Sequence, residues 1–444
     1  MSDPVSPHAV IRQSPMSAYQ YAIVALCMLI YASDGLDVVA LSYAAPALMR
    51  EWDISAGTFG LAYTATPVGI AIGSIFISPV ADQFGRRTLT LWLLGLLVAL
   101  LFLTAVSQSL PVLIALRFLT GLCLGPLVVC LNVTVSEFSN EQRSNLLIGL
   151  LHTGYSVGGM ICGALAALVL EPLGWRSIFF AAGILSVISF LLGVVILAES
   201  PSYLVARRPP GALDRLNALF RRMNLPAFDT LPPAPAVQGR QRGSLFAIPR
   251  GLWFATAILC LAGFVFTVSG GFMASWRPKL LDSAGMDMTW NGVAGITTYG
   301  AGVVSHAIVG ALARRVGEGR IAIIFLAGMA GAFTLLGVVP DGAILPLTIA
   351  STLCGFFNVG AFTALVLVTL NFYEPSVRNA GLGIMMGCSR VGGILGPLAG
   401  GLVIGAGLDR FWVLLIFASV LIIPIAAAAF ARLRPVGRET PAHA

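Results

Sequence analysis

Apolar stretches long enough to cross a bilayer recur down almost the whole 444-residue chain, and no other feature restricts its fold so severely. A helix that crosses the hydrocarbon core needs about 20 predominantly apolar residues. Such stretches occur near residues 20–45, 57–80, 88–107, 111–135, 146–170, 177–198, 251–276, 290–313, 321–339, 343–370, 379–405 and 410–432. A soluble protein buries one or two helices of this kind, hardly a dozen. Only 10% of the residues are charged, against roughly a quarter in ordinary soluble domains. So apolar a chain cannot cover itself with a polar surface, and lipid must be the solvent for much of it. In lipid the backbone polar groups must be satisfied internally, which helices of this length achieve. The expected fold class is an all-α membrane protein with twelve transmembrane helices.

The net charge of +7 is explained by its distribution along the chain. Alternating the spans from a cytoplasmic N-terminus puts 19 of the 26 basic residues on the cytoplasmic side, eight of them between Arg207 and Arg250. Arg50, Arg176, Arg277, Lys279 and Arg410 fall outside, and Arg117 and Arg390 stay in the membrane. This bias is the positive-inside rule, so the basic charge reports topology and calls for no nucleic acid. Both termini are expected in the cytoplasm. Residues 1–18 are polar and lack an apolar core followed by a cleavage site, so they read as a cytoplasmic tail. Residues 199–250, with Pro209, Pro210 and the Leu231, Pro232, Pro233 run, read as a cytoplasmic linker with a short helix around Ala212–Met223. The expected organisation is a six-helix half at 19–198, the linker, a second half at 251–432 and a tail at 433–444. The seven cysteines all fall inside proposed spans without a C-x-x-C spacing, which implies neither disulfide nor metal.

The halves resemble each other. Glu137 and Arg143 precede Val157, Gly158, Gly159 and Gly163, while Glu374 and Arg378 precede Val391, Gly392, Gly393 and Gly396. The glycines alone could be helix packing. The matched acid, arginine and VGG together point to a duplicated unit, as in transporters built from repeats.

Several stretches resemble the major facilitator superfamily. Ser78-Pro79-Val80-Ala81-Asp82-Gln83-Phe84-Gly85-Arg86-Arg87 is similar to its G-x-L-x-D-R-x-G-R-R loop, with Ser78 and Gln83 at the departures. The counterpart running from Gly310 through Arg314 and Arg315 to Gly317 is degenerate, with Arg314 where an acid is common. Glu199-Ser200-Pro201-Ser202-Tyr203-Leu204 resembles the P-E-S-P-R-x-L signature, departing at Ala198 and Ser202. A narrower resemblance is to the aromatic acid:proton symporters. It rests on Asp34-Gly35-Leu36-Asp37 for the D-G-x-D motif, and on Ser389-Arg390-Val391-Gly392-Gly393-Ile394-Leu395-Gly396-Pro397 for G-R-x-G-x-I-x-G-P, with Ser389 in place of glycine.

A charge near the bilayer centre costs at least about 2.5–3.5 kcal/mol on insertion scales, so each one needs a reason. Asp34 lies roughly 21 Å along the first span at 1.5 Å per residue, and Asp37 follows one turn later on the same face. Two carboxylates that close cannot both ionise comfortably in a dry site, so one is expected to take up and release a proton. The alternative is that both pair with arginines to hold helices together. Resemblance to the symporters favours proton coupling. Arg117 is the expected ion-pair partner of Asp37 and a candidate substrate contact. Arg390 lies roughly 18 Å into span 11, and its counterpart in the first repeat is Ser156, so repeat packing does not demand an arginine there. A guanidinium offers a carboxylate two parallel donors, making Arg390 the candidate clamp; a salt bridge to Asp34 or Asp37 is the alternative. His306, Asn358 and Tyr155 are further candidates for the substrate cavity. Asp82, Arg86 and Arg87, with Glu137 beside Arg143 and Glu374 beside Arg378, are expected to form a cytoplasmic gate whose pairs hold one state closed.

The resemblance implies a proton-coupled importer of a small organic, aromatic carboxylate, working as a monomer in a bacterial cytoplasmic membrane without any cofactor beyond the proton gradient. A sugar or other metabolite porter and a drug antiporter share the fold. The sole lysine, Lys279, sits in no P-loop, and H-E-x-x-H does not occur, which argues against an ATP-driven pump or an enzyme.

Overall fold

The computed structural model describes residues 6–232, 249–374 and 377–433. It contains twelve helices long and apolar enough to cross a membrane. Spans 1 to 6 are built on Ala18–Glu51, Ala56–Phe76, Arg86–Ala105, Leu110–Phe138, Ser144–Leu165 and Arg176–Ile196. Spans 7 to 11 are Trp253–Ser283, Met288–Val316, Glu318–Val338, Ile344–Phe372 and Arg378–Gly405. Span 12 is broken into Arg410–Ser419 and Ile422–Leu433. The reason is Pro424, which has no N–H to return to the carbonyl of Val420 and so cannot continue the ladder. Trp92 and Phe76, 75% and 72% exposed, belong to apolar surfaces that only lipid can cover. The protein is a multi-pass integral membrane protein.

The described residues pack as two units. The first comprises residues 6–40, 68–159 and 176–232; the second comprises 41–67, 160–175, 249–374 and 377–433. In the first, span 3 packs on spans 4 and 6. Span 5 lies so close to span 1 that a methyl group on Gly158 would run into the Ala32 carbonyl, and one on Gly154 would meet Met28 O at 2.7 Å. In the second unit span 7 packs along span 11, and span 10 on spans 8 and 9. There a methyl on Gly392 would strike the Phe264 carbonyl. The matched VGG sequences therefore do the same work in each unit: small residues let two backbones approach.

The degenerate second loop keeps its geometry. Gly85 (φ 95°, ψ 148°) caps span 3, and Gly317 (φ 89°, ψ 140°) caps span 9. Only glycine takes this conformation without a steric penalty. The duplicated backbone thus survives where the charges do not.

Two stretches read as tail and linker have order of their own. Ser6 caps a helix at Pro7–Gln13 by accepting from Ala9 N, and the helix seats Ile11, 1% exposed, in the first unit. Arg12 pairs with Glu141 at 3.6 Å. The linker forms a helix at Ala212–Arg222, with Leu216, Leu219 and Phe220 buried and Arg215, Arg221 and Arg222 exposed. The linker also begins with a helix at Pro201–Arg207, while its residues 233–248 and residues 434–444 of the tail lie outside the described residues.

Candidate functional site

The first unit buries a small polar cluster midway along span 1. Asp37 is 0% exposed and Asp34 5%. Arg117, from span 4 and 1% exposed, donates from Nη1 to Asp37 Oδ1 at 2.7 Å and from Nη2 to Thr104 Oγ1 at 2.9 Å. Its guanidinium also lies over the Phe179 ring, 5.2 Å from the centroid. Asp34 differs: among the described residues it has no hydrogen bond or ion pair, and its Oδ1 is buried. The two carboxylates on one helical face are therefore not equivalent. Asp37 has a counter-charge, whereas Asp34 is buried without one. The backbone of Tyr155 abuts Gly35, and its ring lies 6.0 Å from that of Tyr31. Tyr31 in turn meets His152 edge to face at 5.5 Å, and His152 Nε2 lies 3.1 Å from Asn132 Oδ1.

In the second unit Arg390 is exposed and forms no hydrogen bond or ion pair with the described residues. Its neighbour Ser389 is buried: its Oγ donates to Met385 O at 2.9 Å and its carbonyl accepts from Thr267 Oγ1 at 2.6 Å. A methyl on Gly263 would collide with Ser389 Oγ, so a glycine in span 7 makes room for the hydroxymethyl that departs from the usual motif. His306 Nδ1 lies 2.7 Å from Thr363 Oγ1. Asn358 keeps a buried Oδ1 with no hydrogen bond.

The loops after spans 2 and 6 join in one network within the first unit. Arg86 pairs with Glu137. Ser200 Oγ donates to Glu137 Oε2 at 2.6 Å, and Arg86 Nη1 donates to Ser200 Oγ at 3.1 Å. The Arg87 backbone N–H donates to Glu199 Oε1 at 3.1 Å. The Arg87 side chain donates to the carbonyls of Leu197 at 2.7 Å and Val194 at 2.9 Å, satisfying orphan groups at the end of span 6. Arg207 Nε donates to the Asp82 carbonyl at 2.9 Å. In the second unit Asn371 Nδ2 donates to Glu318 Oε1 at 3.0 Å. Because Glu318 follows Gly317 as Arg86 follows Gly85, donor and acceptor have exchanged elements.

The Major Facilitator Superfamily model matches residues 27–347 and 303–444. The chain belongs to this superfamily. It is 30% identical to a 4-hydroxybenzoate transporter of Pseudomonas aeruginosa, with 95% of this chain and 93% of that protein covered. It is 31% identical to a gallate transporter of Pseudomonas putida, covering 91% and 90%. A benzoate transport protein of Acinetobacter baylyi is 25% identical, covering 93% and 89%. Among solved structures, the nucleoside transporter NupG shares the fold with a TM-score of 0.68 at 13% identity, covering 93% of this chain and 99% of that one. This facilitator is a membrane transporter of the inner membrane and not an enzyme.

Two of the side-chain pairs expected of the cytoplasmic loops differ in the structure. Glu137 pairs with Arg86 and not with Arg143, which reaches the Tyr21 hydroxyl and lies over its ring, 5.9 Å from the centroid. Glu137 ends span 4, facing the loop after span 2 and Ser200, whereas Arg143 lies beyond the turn that Asn140 stabilises by accepting from Arg143 N. Glu374 is exposed, and among the described residues its side chain makes no ion pair with Arg378; only the backbone Arg378 N donates to Glu374 O, at 2.9 Å. Residues 375–376 lie outside the described residues.

Sequence reasoning missed Ser200, Glu199 and Arg277. The first two sat inside a recognised signature, and the unusual share of polar groups in it was the available signal. Arg277 was counted among external charges because the apolar stretch stops at residue 276, yet the helix continues to Ser283 and Arg277 is 3% exposed.

Proposed function

We propose that this facilitator couples proton entry to uptake of an aromatic carboxylate by alternating access, with both termini in the cytoplasm and six-helix halves at 19–198 and 251–432. The observation that carries the coupling is Asp34: a buried carboxyl without a counter-charge, one helical turn from an Asp37 already neutralised by Arg117. An isolated ionised carboxylate in such a place is strongly disfavoured, and a proton removes the penalty. Asp34 is thus the proton carrier, and Asp37 with Arg117 the fixed pair that sets the local field. Arg390, unpaired and exposed within its own unit, is the clamp for the substrate carboxylate, where a planar fork can grip two oxygens at once. The names of the relatives, transporters of hydroxybenzoate, gallate and benzoate, support an aromatic ring on that carboxylate. The Arg86–Glu137–Ser200 network is a latch at the cytoplasmic ends of the first half. One protomer contains every group this cycle uses.

The test uses purified protein in liposomes with a pH gradient and radiolabelled benzoate or 4-hydroxybenzoate. Wild type accumulates the acid. Asp34→Asn and Asp37→Asn are expected to lose gradient-driven accumulation, with Asp34→Asn retaining exchange of acid across the membrane at equal pH. Accumulation at the wild-type level in Asp34→Asn rejects the coupling role. Arg390→Ala is expected to weaken benzoate binding, and an unchanged affinity rejects the clamp.

A further inference from the structure

Arg277 is a buried cation without a counter-ion among the described residues. It stands 24 residues after Trp253, roughly 36 Å along span 7, and is 3% exposed. Its Nη2 donates to Tyr43 Oη at 2.9 Å and its Nη1 to the Ala294 carbonyl at 3.3 Å. The guanidinium lies over two aromatic rings, 5.8 Å from the Tyr43 centroid and 5.6 Å from that of Tyr299. Among the described residues no carboxylate comes within ion-pair distance. The acids of this region of the unit are engaged elsewhere. Asp282 pairs with Arg50 and Lys279, at 3.2 and 3.3 Å, and Glu51 accepts from Trp175 Nε1 at 2.6 Å.

A guanidinium carries five N–H donors, and two hydrogen bonds leave most of that capacity unused. Burying an ion is strongly penalised, and the cation–π contacts return only part of that penalty. The balance favours an anion beside the guanidinium, and there is space for one. A cavity of ≈ 50 Å³ is lined by Arg277, Thr298, Tyr299 and Asn358 with small and apolar neighbours. Asn358 Oδ1, buried and without a hydrogen bond, shows that this amide too has unused capacity. The side-chain amide has nearly the same shape either way round, so it can turn an N–H towards a negative charge.

We infer that this cavity is a binding site for a small monovalent anion: a chloride ion, or the carboxylate head of an organic acid. Its volume exceeds the ~30 Å³ share of one water but falls far short of the ~150 Å³ cavity that takes a benzene ring. It therefore holds an ion or a carboxylate head, with the ring of an aromatic acid left outside it. The site is separate from Arg390. Gly263 of span 7 lies against Ser389, and Arg277 is 14 residues further on, roughly 21 Å away. No benzoate-sized molecule bridges the two, so the inference does not depend on the clamp assigned to Arg390.

The test measures the thermal unfolding midpoint of full-length protein in detergent, with sodium sulfate holding ionic strength constant while chloride or benzoate is titrated. All arms carry Arg390→Ala, which removes the proposed clamp. A saturable rise with chloride alone identifies an inorganic anion, and a rise with benzoate identifies the carboxylate head. Either rise is expected to vanish when Arg277→Leu is added, and the midpoint in sulfate alone is then expected to stay level or rise, since an uncompensated cation has gone. Arg277→Gln carries the same comparison if the leucine variant does not fold. No saturable rise with either anion overturns the site, as does a rise that persists without Arg277.

Discussion

Asp34 and Asp37 stand three residues apart on one buried face, yet replacing each by asparagine is expected to change stability very differently. Asp37→Asn removes the carboxylate 2.7 Å from Arg117, a guanidinium only 1% exposed. The cation would keep the Thr104 and Thr120 hydroxyls at 2.9 and 3.4 Å and the Phe179 face. None of these carries a full negative charge. Breaking a buried pair by removing one partner costs about 3–5 kcal/mol, and the retained contacts cancel between wild type and variant. Asp34→Asn breaks no hydrogen bond or ion pair among the described residues, and the amide nearly matches the shape of the protonated acid. Its effect is expected within about 1 kcal/mol of zero, the range of changes that break no specific interaction. Unfolding free energies of purified protein in mixed micelles, followed by circular dichroism, read both changes. The double variant Asp37→Leu with Arg117→Met is expected to recover most of the loss, because both charges leave together. Equal losses for the two asparagine variants, or a larger loss for Asp34→Asn, would refute the division between a fixed pair and a free carboxyl.

Two other perturbations probe the helix contacts and the latch. Gly158→Leu and Gly392→Leu are each expected to destabilise the protein by at least about 1–3 kcal/mol through overpacking, since the added side chain meets a backbone carbonyl that cannot turn away; unchanged melting would reject the close approach. Arg86 is 20% exposed and Glu137 9%, so a double-mutant cycle of Arg86→Met and Glu137→Leu is expected to give about 1–2 kcal/mol of coupling, weakened by salt. Zero coupling would mean that the pair adds nothing to the closed loop.

Much of the architecture was legible because the bilayer imposes a length. Stretches such as 88–107 and 321–339 locate spans 3 and 9 to within a few residues, since a helix of some 30 Å must be apolar throughout. Ends were less legible. Span 7 runs past Arg277 to Ser283, because a helix continues while its backbone bonds are made, whatever the polarity of one side chain. Repetition was legible too: Val157-Gly158-Gly159 and Val391-Gly392-Gly393 mark equivalent close approaches. The partner of Glu137 was not. Glu137 stands six residues from Arg143 and fifty-one from Arg86, and nothing local says that the loop after span 2 reaches it.

The twelve spans proposed from apolar length are thus a property of the sequence itself, as are the misplaced charges Asp34, Asp37, Arg117 and Arg390. A transfer free energy attaches to each residue and each window regardless of what lies opposite. Tertiary structure alone decided which of those charges is compensated. It gave Asp37 a guanidinium and Asp34 none, paired Glu137 with Arg86 in place of Arg143, and drew Arg277 from the expected surface into a cavity beside Tyr43 and Tyr299. Compensation depends on distances of a few ångströms between helices remote in sequence, and only their packing sets those distances.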